Sequence, residues 1–306
     1  MTPQDAVATA ESLAPDTASL PTRGEVWWTF ILRDKKALVG LIVIAVMGFA
    51  AIFAPLIVPY DPNAQDYAMI GAPTWAHLLG TDDLGRDLLS RLIMGTRISL
   101  FVGFSTVFLG AVSGVILGVA AGYSGGWLDN IIMRYIDLQW AFPNFIIAVY
   151  LVAVFGTGLT NVIVAISLAF IDDFARTARG MVLIIREEQY VAAARTIGAS
   201  DQRIMWRHIL PNAAAPIIVQ ATINISYAIL AEAGLSFLGL GVQATTPTWG
   251  LILADARSFI SVAWWLGVFP GLFIMVAVLS VNFLGDALRD LLDVREFREV
   301  AGEDTR

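Results

Sequence analysis

Long apolar runs separated by short polar segments dominate this chain. A membrane-spanning helix needs about 20 mostly apolar residues to cross about 30 Å of hydrocarbon. Six runs are candidates, and the fourth of them is apolar over only 13 residues: 37–58, 98–122, 138–156, 159–171, 212–235 and 262–284. The pattern therefore predicts an all-α integral membrane protein with six transmembrane helices.

Composition supports a membrane protein over other classes. Hydrophobic residues make up 57% of the 306 residues and charged residues 15%, whereas soluble domains average about 45–50% apolar and about 25% charged. The net charge of −7 argues against nucleic-acid binding. There is no cysteine, and the two histidines, His77 and His208, provide no cluster for a transition metal. An ordinary soluble enzyme and a disulfide scaffold are both excluded.

The distribution of basic residues predicts the orientation. An even number of spans places both termini on one side, and that side carries 15 of the 19 Lys and Arg residues. Cytoplasmic segments are enriched in Lys and Arg, so both termini are predicted to be cytoplasmic. This assigns 1–36 as a cytoplasmic lead, whose first 22 residues are expected to be disordered, 59–96 as a periplasmic segment and 286–306 as a cytoplasmic tail. The lead has no basic stretch before a hydrophobic core and is not expected to be a signal peptide.

The polar segment before the fifth apolar run predicts an ordered finger. Residues 187–197 are strong helix formers, and Gly198 then favours a turn. Ser200 can cap a second short helix, which Leu210-Pro211 is expected to end before the next span begins. A solvated connector is the alternative, but such a connector needs no ordered element of this length.

This finger resembles the "EAA" loop of binding-protein-dependent ABC importer permeases. The resemblance rests on the small residues, the glycine and the Leu-Pro pair at the family spacing: Ala192-Ala193-Ala194, Gly198 and His208-Ile209-Leu210-Pro211. The chain departs from the family pattern where Ala192 replaces the usual Glu and His208 replaces the usual Ile. Four further stretches resemble the "C"-type subunit of dipeptide/oligopeptide permeases: APLIVPYDPN from 54, LGTDDLGRDLLSRLIMGTRISL from 79, GLSFLGLG from 234 and LGDALRDLLDVR from 284.

The resemblance implies a type I ABC importer permease in a bacterial-type inner membrane. It implies a permease domain over 97–285 after the first transmembrane helix at 37–58, with a coupling loop at 186–211. The expected partners are a second permease subunit in a heterodimer, two ATPase subunits, a periplasmic substrate-binding protein and membrane lipid. The coupling residues it implies are Ala192, Ala193, Ala194, Arg195, Gly198, Arg203, His208, Leu210 and Pro211.

The same resemblance implies a non-catalytic subunit that moves dipeptides or oligopeptides by alternating access. The chain has no phosphate-binding G-x-x-x-x-G-K-[ST] motif. We therefore expect no cofactor in this chain, with ATP and Mg bound by the ATPase subunits. Nickel chelates or another small solute remain alternative cargoes. A secondary transporter is a further alternative, but four of the spans lack the ionisable midplane residues that ion coupling usually needs.

Four glycines at four-residue steps mark the second apolar run: Gly110, Gly114, Gly118 and Gly122. Stripes of small residues let helix backbones approach closely in lipid. We expect this stripe to pack against another helix of the same subunit, with packing against the second permease as the alternative.

The fifth run carries three polar residues on one helical face: Gln220, Asn224 and Tyr227 lie within about 60° of one another. They are candidates for the lining of the transport pathway or for hydrogen bonds between helices. Near the other end of this run, Glu232 is expected to pair with Arg257, with attraction of a substrate amino terminus as the alternative.

Two adjacent acids follow the fourth run. Arg176 follows Asp172 by four residues and Asp173 by three, a spacing that favours pairing on one helix. We therefore predict that this end of the span faces the protein interior, with Arg176 bridging at least one aspartate. Asp172 is also a pathway candidate, since negative charge there would attract a cationic peptide terminus. The alternative is that both acids are solvated.

The segment between the first two runs is predicted to lie outside the cell. A helix is expected to begin at Asp87, with Arg86, Arg91 and Arg97 near lipid phosphates or acids of a partner. This segment is either a contact for the binding protein or a self-packed cap.

Overall fold

The computed structural model describes residues 34–243 and 245–292; the lead up to residue 33 and the tail from residue 293 lie outside these ranges. Within them, every regular element is helical, and the one isolated β-bridge joins Thr81 and Asp87. The helices are α1 Lys35–Ile57, α2 Leu88–Ser124, α3 Gly126–Trp140, α4 Asn144–Phe155, α5 Leu159–Ala169, α6 Ile171–Ile185, α7 Gln189–Thr196, α8 Asp201–Phe237, α9 Trp249–Ala256 and α10 Trp264–Leu292.

Four of these helices, α1, α2, α8 and α10, are long and apolar enough to cross a membrane. The third predicted span is not one helix, because α3 and α4 are bent by 91° at a short break. Pro143 stands immediately before α4. Proline lacks an N–H and disfavours helical geometry in the preceding residue, so a straight helix through 138–156 is not formed. The bent pair is a fifth candidate span.

The fourth predicted span also consists of two helices. Helix α5 has 11 residues and ends at Ala169; Phe170, with φ −104° and ψ 2°, separates it from α6. At 1.5 Å per residue α5 is about 16 Å long, too short to cross the hydrocarbon alone. The predicted span 159–171 is therefore not a single membrane-crossing helix, and α5 and α6 follow one another there.

The glycine stripe of α2 packs directly against α6. A methyl group added at Gly114 would lie 2.6 Å from the carbonyl oxygen of Ile171, and one added at Gly122 would lie 2.9 Å from Val182 Cβ. Gly118 faces α6 in the same way, and a methyl group added at Gly110 would lie 3.1 Å from the carbonyl oxygen of Ser167 near the end of α5. Only glycine permits this backbone approach. The structure thus places all four glycines at a contact inside the subunit.

Helix α8 does not end at Leu210-Pro211, and that prediction is wrong. A single π-helical turn, Met205–Ile209, connects the first turn of α8 to a long α-helical segment, Leu210–Phe237. Pro211 lies at the start of this segment, where a first-turn residue needs no N–H to maintain the helix. The finger therefore continues into a membrane helix without a break.

Candidate functional site

The first candidate region is the finger, which we define as α7, the turn at Gly198 and the start of α8 up to residue 209. Gly198 adopts φ +85°, a left-handed conformation that side chains disfavour. The Ser200 hydroxyl accepts a hydrogen bond from the Arg203 backbone N–H at 3.4 Å and caps α8. The glycine and the cap together reverse the chain between the two helices.

The two sides of the finger differ in burial. Val191 and Ala194 pack into a small core with Ile204 and Ile209. The opposite side is open and carries these exposed residues of the predicted coupling set: Ala192, Ala193, Arg195, Gly198 and Arg203; Pro211, just after the finger, is also exposed. His208 and Leu210 are half-buried. The predicted coupling residues are therefore divided between a supporting core and a free surface.

Two apolar side chains of the finger were not identified from the sequence. Ile197 is 86% exposed at the tip, and Trp206 is 66% exposed on α8. Large apolar side chains that project from a small ordered element mark a contact surface. Helical spacing does not distinguish them from core residues, since Ile197 lies three positions after the buried Ala194 and Trp206 three positions before the buried Ile209.

One side-chain contact connects the finger to α2, and a second connects the end of α6, just before the finger, to α2. The Tyr123 hydroxyl, at the end of α2, donates to Asp201 Oδ1 at 2.5 Å. The Arg186 guanidinium donates to the Gly122 carbonyl at 2.8 Å. The finger is thus connected to the glycine-packed α2–α6 pair by a direct hydrogen bond.

The second candidate region is a cavity of about 570 Å³ between α4, α6 and α8. Its size falls in the range of about 300–1,000 Å³ that is typical of small-molecule sites. Its wall is mainly apolar, with Phe145 and Phe170 among the lining side chains. Three polar side chains reach it, one from each helix: Asn144, Asp173 and Tyr227.

The polar residues predicted on α8 have different positions relative to this cavity. Tyr227 lines it, whereas Asn224 is buried and donates to Asp173 Oδ2 at 3.2 Å. Gln220 donates to Asn224 Oδ1 at 3.0 Å. The residues thus form a hydrogen-bonded chain from α8 to α6, and Tyr227 is the one of the three that faces the open space.

Asp172 lies away from the cavity. It is fully buried, and its Oδ1 accepts from the Gln139 side-chain amide at 3.2 Å. Its Oδ2 has no hydrogen-bond partner. The predicted burial of this end of the span is therefore correct, but Asp173 rather than Asp172 is the acid that faces the cavity.

Arg176 bridges neither aspartate, so the predicted pairing is wrong. Its guanidinium donates to Asp137 Oδ1 at 2.5 Å and stacks 4.5 Å from the centre of the Trp140 ring. Both partners belong to α3, which packs beside α6 and provides an acid that same-helix spacing does not reveal. In the described part of the chain, no Lys, Arg or His nitrogen lies within 4 Å of the Asp172 or Asp173 carboxylate.

The predicted pair between Glu232 and Arg257 is also absent. Glu232 is buried and accepts from the Ser236 hydroxyl at 2.8 Å, with the Ser99 hydroxyl at 3.5 Å. The Arg257 guanidinium instead lies 5.6 Å from the centre of the Phe237 ring. Glu232 points inward to α2, and hydroxyl groups satisfy it there.

A third region, at the start of α2, collects charged side chains that we call the outer ion cluster: the buried Asp82, Arg86 and Arg91 and the partly exposed Asp255. Asp82 Oδ2 accepts from Arg86 Nε at 2.6 Å and from Arg91 Nη1 at 2.7 Å. Asp255 Oδ2 lies 3.5 Å from both guanidinium groups. Both arginines are almost completely buried, so their predicted contacts with lipid or partner acids are wrong.

The outer ion cluster also affects the titration of Asp255. Desolvation raises the pKa of its carboxyl to about 6, although Arg86 favours the charged form. Asp83 and Asp82 act in the same direction as burial because they carry the same charge. The helix beneath the cluster begins as predicted, since Asp87 caps α2 by accepting from Ser90 N at 2.8 Å.

Comparisons with known protein families agree with this architecture. Residues 114–298 match the family described as "Binding-protein-dependent transport system inner membrane component", and residues 23–73 match the "N-terminal TM domain of oligopeptide transport permease C". The first match covers the end of α2 from Gly114, the whole of α6 and the finger, and the second covers α1.

Named relatives cover most of the chain. The Di/tripeptide transport system permease protein DppC of Pseudomonas aeruginosa is 44% identical over 89% of this chain and 92% of its own length. The Glutathione transport system permease protein GsiD of Pectobacterium atrosepticum is 42% identical over 94% of this chain and 95% of its own. An inward-facing structure of the MetNI methionine ABC transporter has a similar fold. Its TM-score is 0.56 at 22% identity, over 72% of this chain and 98% of that one.

Proposed function

We propose, since this chain belongs to the family of binding-protein-dependent transport system inner membrane components, that it forms half of the membrane pathway of an ATP-driven peptide importer. Two relatives above 40% identity are named for di- or tripeptide and for glutathione transport. Glutathione is itself a tripeptide, so both names point to short peptides as the cargo class. The fold similarity to a methionine importer supports the same machinery.

The proposed complex contains a second permease subunit, two ATPase subunits and a periplasmic binding protein. The ATPase subunits would bind ATP and Mg, while this chain would provide the pathway and the coupling element. We place the finger in the cytoplasm and the outer ion cluster on the periplasmic side. The charge asymmetry supports this orientation, because most basic residues lie on the finger side. The proposed six crossings count α3–α4 and α5–α6 as one each.

The observation that carries the coupling proposal is the two-sided finger. Its inner side is packed and hydrogen-bonded to the bundle, whereas its outer side exposes Ala192, Ala193 and Ile197. Small side chains permit close approach, and the exposed Ile197 can bury its apolar surface in a cleft of an ATPase subunit. A rigid element rooted at one end and free at the other can transmit movement of that partner.

Substitution of Gly198 tests this proposal. A side chain at Gly198 would meet nothing within 4 Å, but the φ of +85° strains any residue other than glycine, and valine most. We expect Gly198→Val to leave the chain inserted and assembled in the membrane while peptide uptake in reconstituted liposomes falls by about tenfold or more, as expected for a misplaced coupling element.

Gly180→Val is the matched control. Gly180 is also exposed with open space around it, but it lies within α6 and does not have a positive φ. Uptake by this variant should remain near that of the wild type. Wild-type uptake by a membrane-inserted Gly198→Val subunit would show that the turn is not needed for coupling.

A further inference from the structure

Asp173 is the one acidic side chain on the wall of the cavity between α4, α6 and α8. It is half-buried, and one of its oxygens accepts from the Asn224 amide at 3.2 Å. A single neutral hydrogen bond leaves most of the acceptor capacity of a carboxylate unused. The remaining capacity faces the cavity.

No basic group of the described chain neutralises this carboxylate. The basic residue three positions along the same helix, Arg176, is already bonded to Asp137 and stacked on Trp140. The neighbouring Asp172 adds negative charge instead of removing it. An ionisable side chain inside a membrane bundle is costly, and where it is retained it usually marks the path of a substrate.

The groups around Asp173 suit an ammonium ion. An ammonium group has three hydrogens to donate, and the cavity offers acceptors on the Asp173 carboxylate, the Tyr227 hydroxyl and the Asn144 amide oxygen. The Phe145 and Tyr227 rings, also on the wall, can favour a cation over their faces. The remaining wall is apolar, so it can accommodate different side chains of a bound molecule without selecting among them.

We propose that Asp173 is a cargo subsite in the pathway that binds the α-ammonium group of the transported peptide. This inference rests on the proposed function, because it takes the cargo to be a short peptide. All short peptides with a free amino terminus share this group, whatever their sequence. The charge-assisted hydrogen bond would therefore orient the peptide in the cavity without restricting which peptides are carried.

The test measures uptake of alanyl-alanine by liposomes that contain the complete complex, with the binding protein in excess. Asp173→Asn keeps the shape and the contact with Asn224 but removes the charge. We expect its uptake rate to fall by about tenfold, the scale of one charge-assisted hydrogen bond. Asp173→Glu should retain most of the uptake. The matched control is Asp286→Asn, which removes the same charge from an exposed position on α10 and should transport as the wild type does.

A charge-rescue experiment separates the role of the charge from any effect on folding. The chain has no cysteine, so Asp173→Cys introduces the only thiol of this subunit. Modification with sulfonatoethyl methanethiosulfonate restores a negative charge, whereas methyl methanethiosulfonate leaves the position neutral. We expect recovery of uptake with the first reagent alone, with labelling verified by mass spectrometry and the wild-type complex treated in parallel.

The outcomes distinguish this inference from the proposed function. If the wild-type complex transports alanyl-alanine and Asp173→Asn does so within twofold, the peptide importer stands and the subsite is wrong. A labelled Asp173→Cys protein that does not recover with the charged reagent would also overturn the subsite. If Asp173→Asn slows lysyl-alanine but not alanyl-alanine, the side-chain ammonium is the ligand and the α-amino assignment fails. If the wild-type complex transports neither a dipeptide nor a tripeptide, the proposed function fails.

Discussion

The buried charges at the start of α2 and those at the start of α6 have opposite surroundings. In the outer ion cluster, each of the two arginines lies within 3.5 Å of both aspartates, and Asp82 also accepts two backbone N–H groups. Asp172 and Asp173 have only amide side chains as partners. The first group is neutralised within the chain and acts as a structural cap. The second group is not neutralised within the chain, which suits a site that binds a cation of another molecule.

The largest expected effect comes from breaking the neutralised group. Arg91→Met leaves Asp82 and Asp255 with one guanidinium between them, and Asp82 is deeply buried. Removing one partner of a buried ion pair typically costs about 3–5 kcal/mol, so we expect a marked drop in melting temperature of the purified protein. Arg97→Met, at an exposed position on the same helix, should change it little. Equal melting temperatures for both variants would show that the cluster contributes nothing to stability.

The next largest effect is expected from a variant that pushes α2 and α6 apart. Gly118→Leu places a side chain against the Ala175 carbonyl and Ala178 Cβ of α6, which displaces the helix that carries the inner acids. Overpacking of this kind costs about 1–3 kcal/mol or more. We expect lower yield of assembled complex, while Gly48→Leu, which meets nothing within 4 Å, assembles normally. Normal assembly of Gly118→Leu would mean that α2 and α6 are not held by this contact.

A smaller effect concerns pH and Asp255. Its folded pKa of about 6 lies above the ordinary value of 3.8. This raised pKa adds stability below about pH 3.8, and that contribution is lost as the pH rises through about 6. The side chain introduced by Asp255→Asn is neutral at every pH, so the variant does not lose stability in this way as the pH rises. The melting temperature of the variant minus that of the wild type should therefore increase between pH 4.5 and pH 7.5. A difference that stays flat or decreases would contradict the assignment.

The smallest effect is expected at Arg176. Its ion pair with Asp137 is about one-third exposed on the Arg side and half-exposed on the Asp side. Exposed pairs contribute about 0–1 kcal/mol, so Arg176→Ala should lower the free energy of unfolding by less than about 1 kcal/mol. A loss of several kcal/mol, rescued by Asp172→Asn, would instead support a direct pairing with the inner acids.

Local features of the sequence were sufficient to predict much of the fold. The glycine spacing in α2, the N-cap at Asp87 and the turn at Gly198 each depend on a few neighbouring residues, and their physical causes act at short range. The continuation of α8 past Pro211 was not predicted, since it depends on the π-helical turn Met205–Ile209 that comes just before the proline.

Partners of charged side chains could not be predicted in this way. Arg176 pairs with an acid 39 positions away, and Arg91 reaches one 164 positions away. Pairing rules for one helix consider only residues three or four apart, whose interactions contribute a few tenths of a kcal/mol. The packing of the whole bundle decides which helices are neighbours. That packing therefore determines the hydrogen-bond partners of Asp172, Asp173 and Glu232.

The length of α2 has a mechanical consequence. Its 37 residues run from the outer ion cluster, along the glycine contact with α6, to Tyr123 at the root of the finger. At 1.5 Å per residue it is a rod of about 55 Å, so a tilt of about 5° about one end sweeps the other end through about 5 Å. A lever of this length converts a small rotation at the finger into a displacement as wide as a peptide backbone at the opposite membrane face.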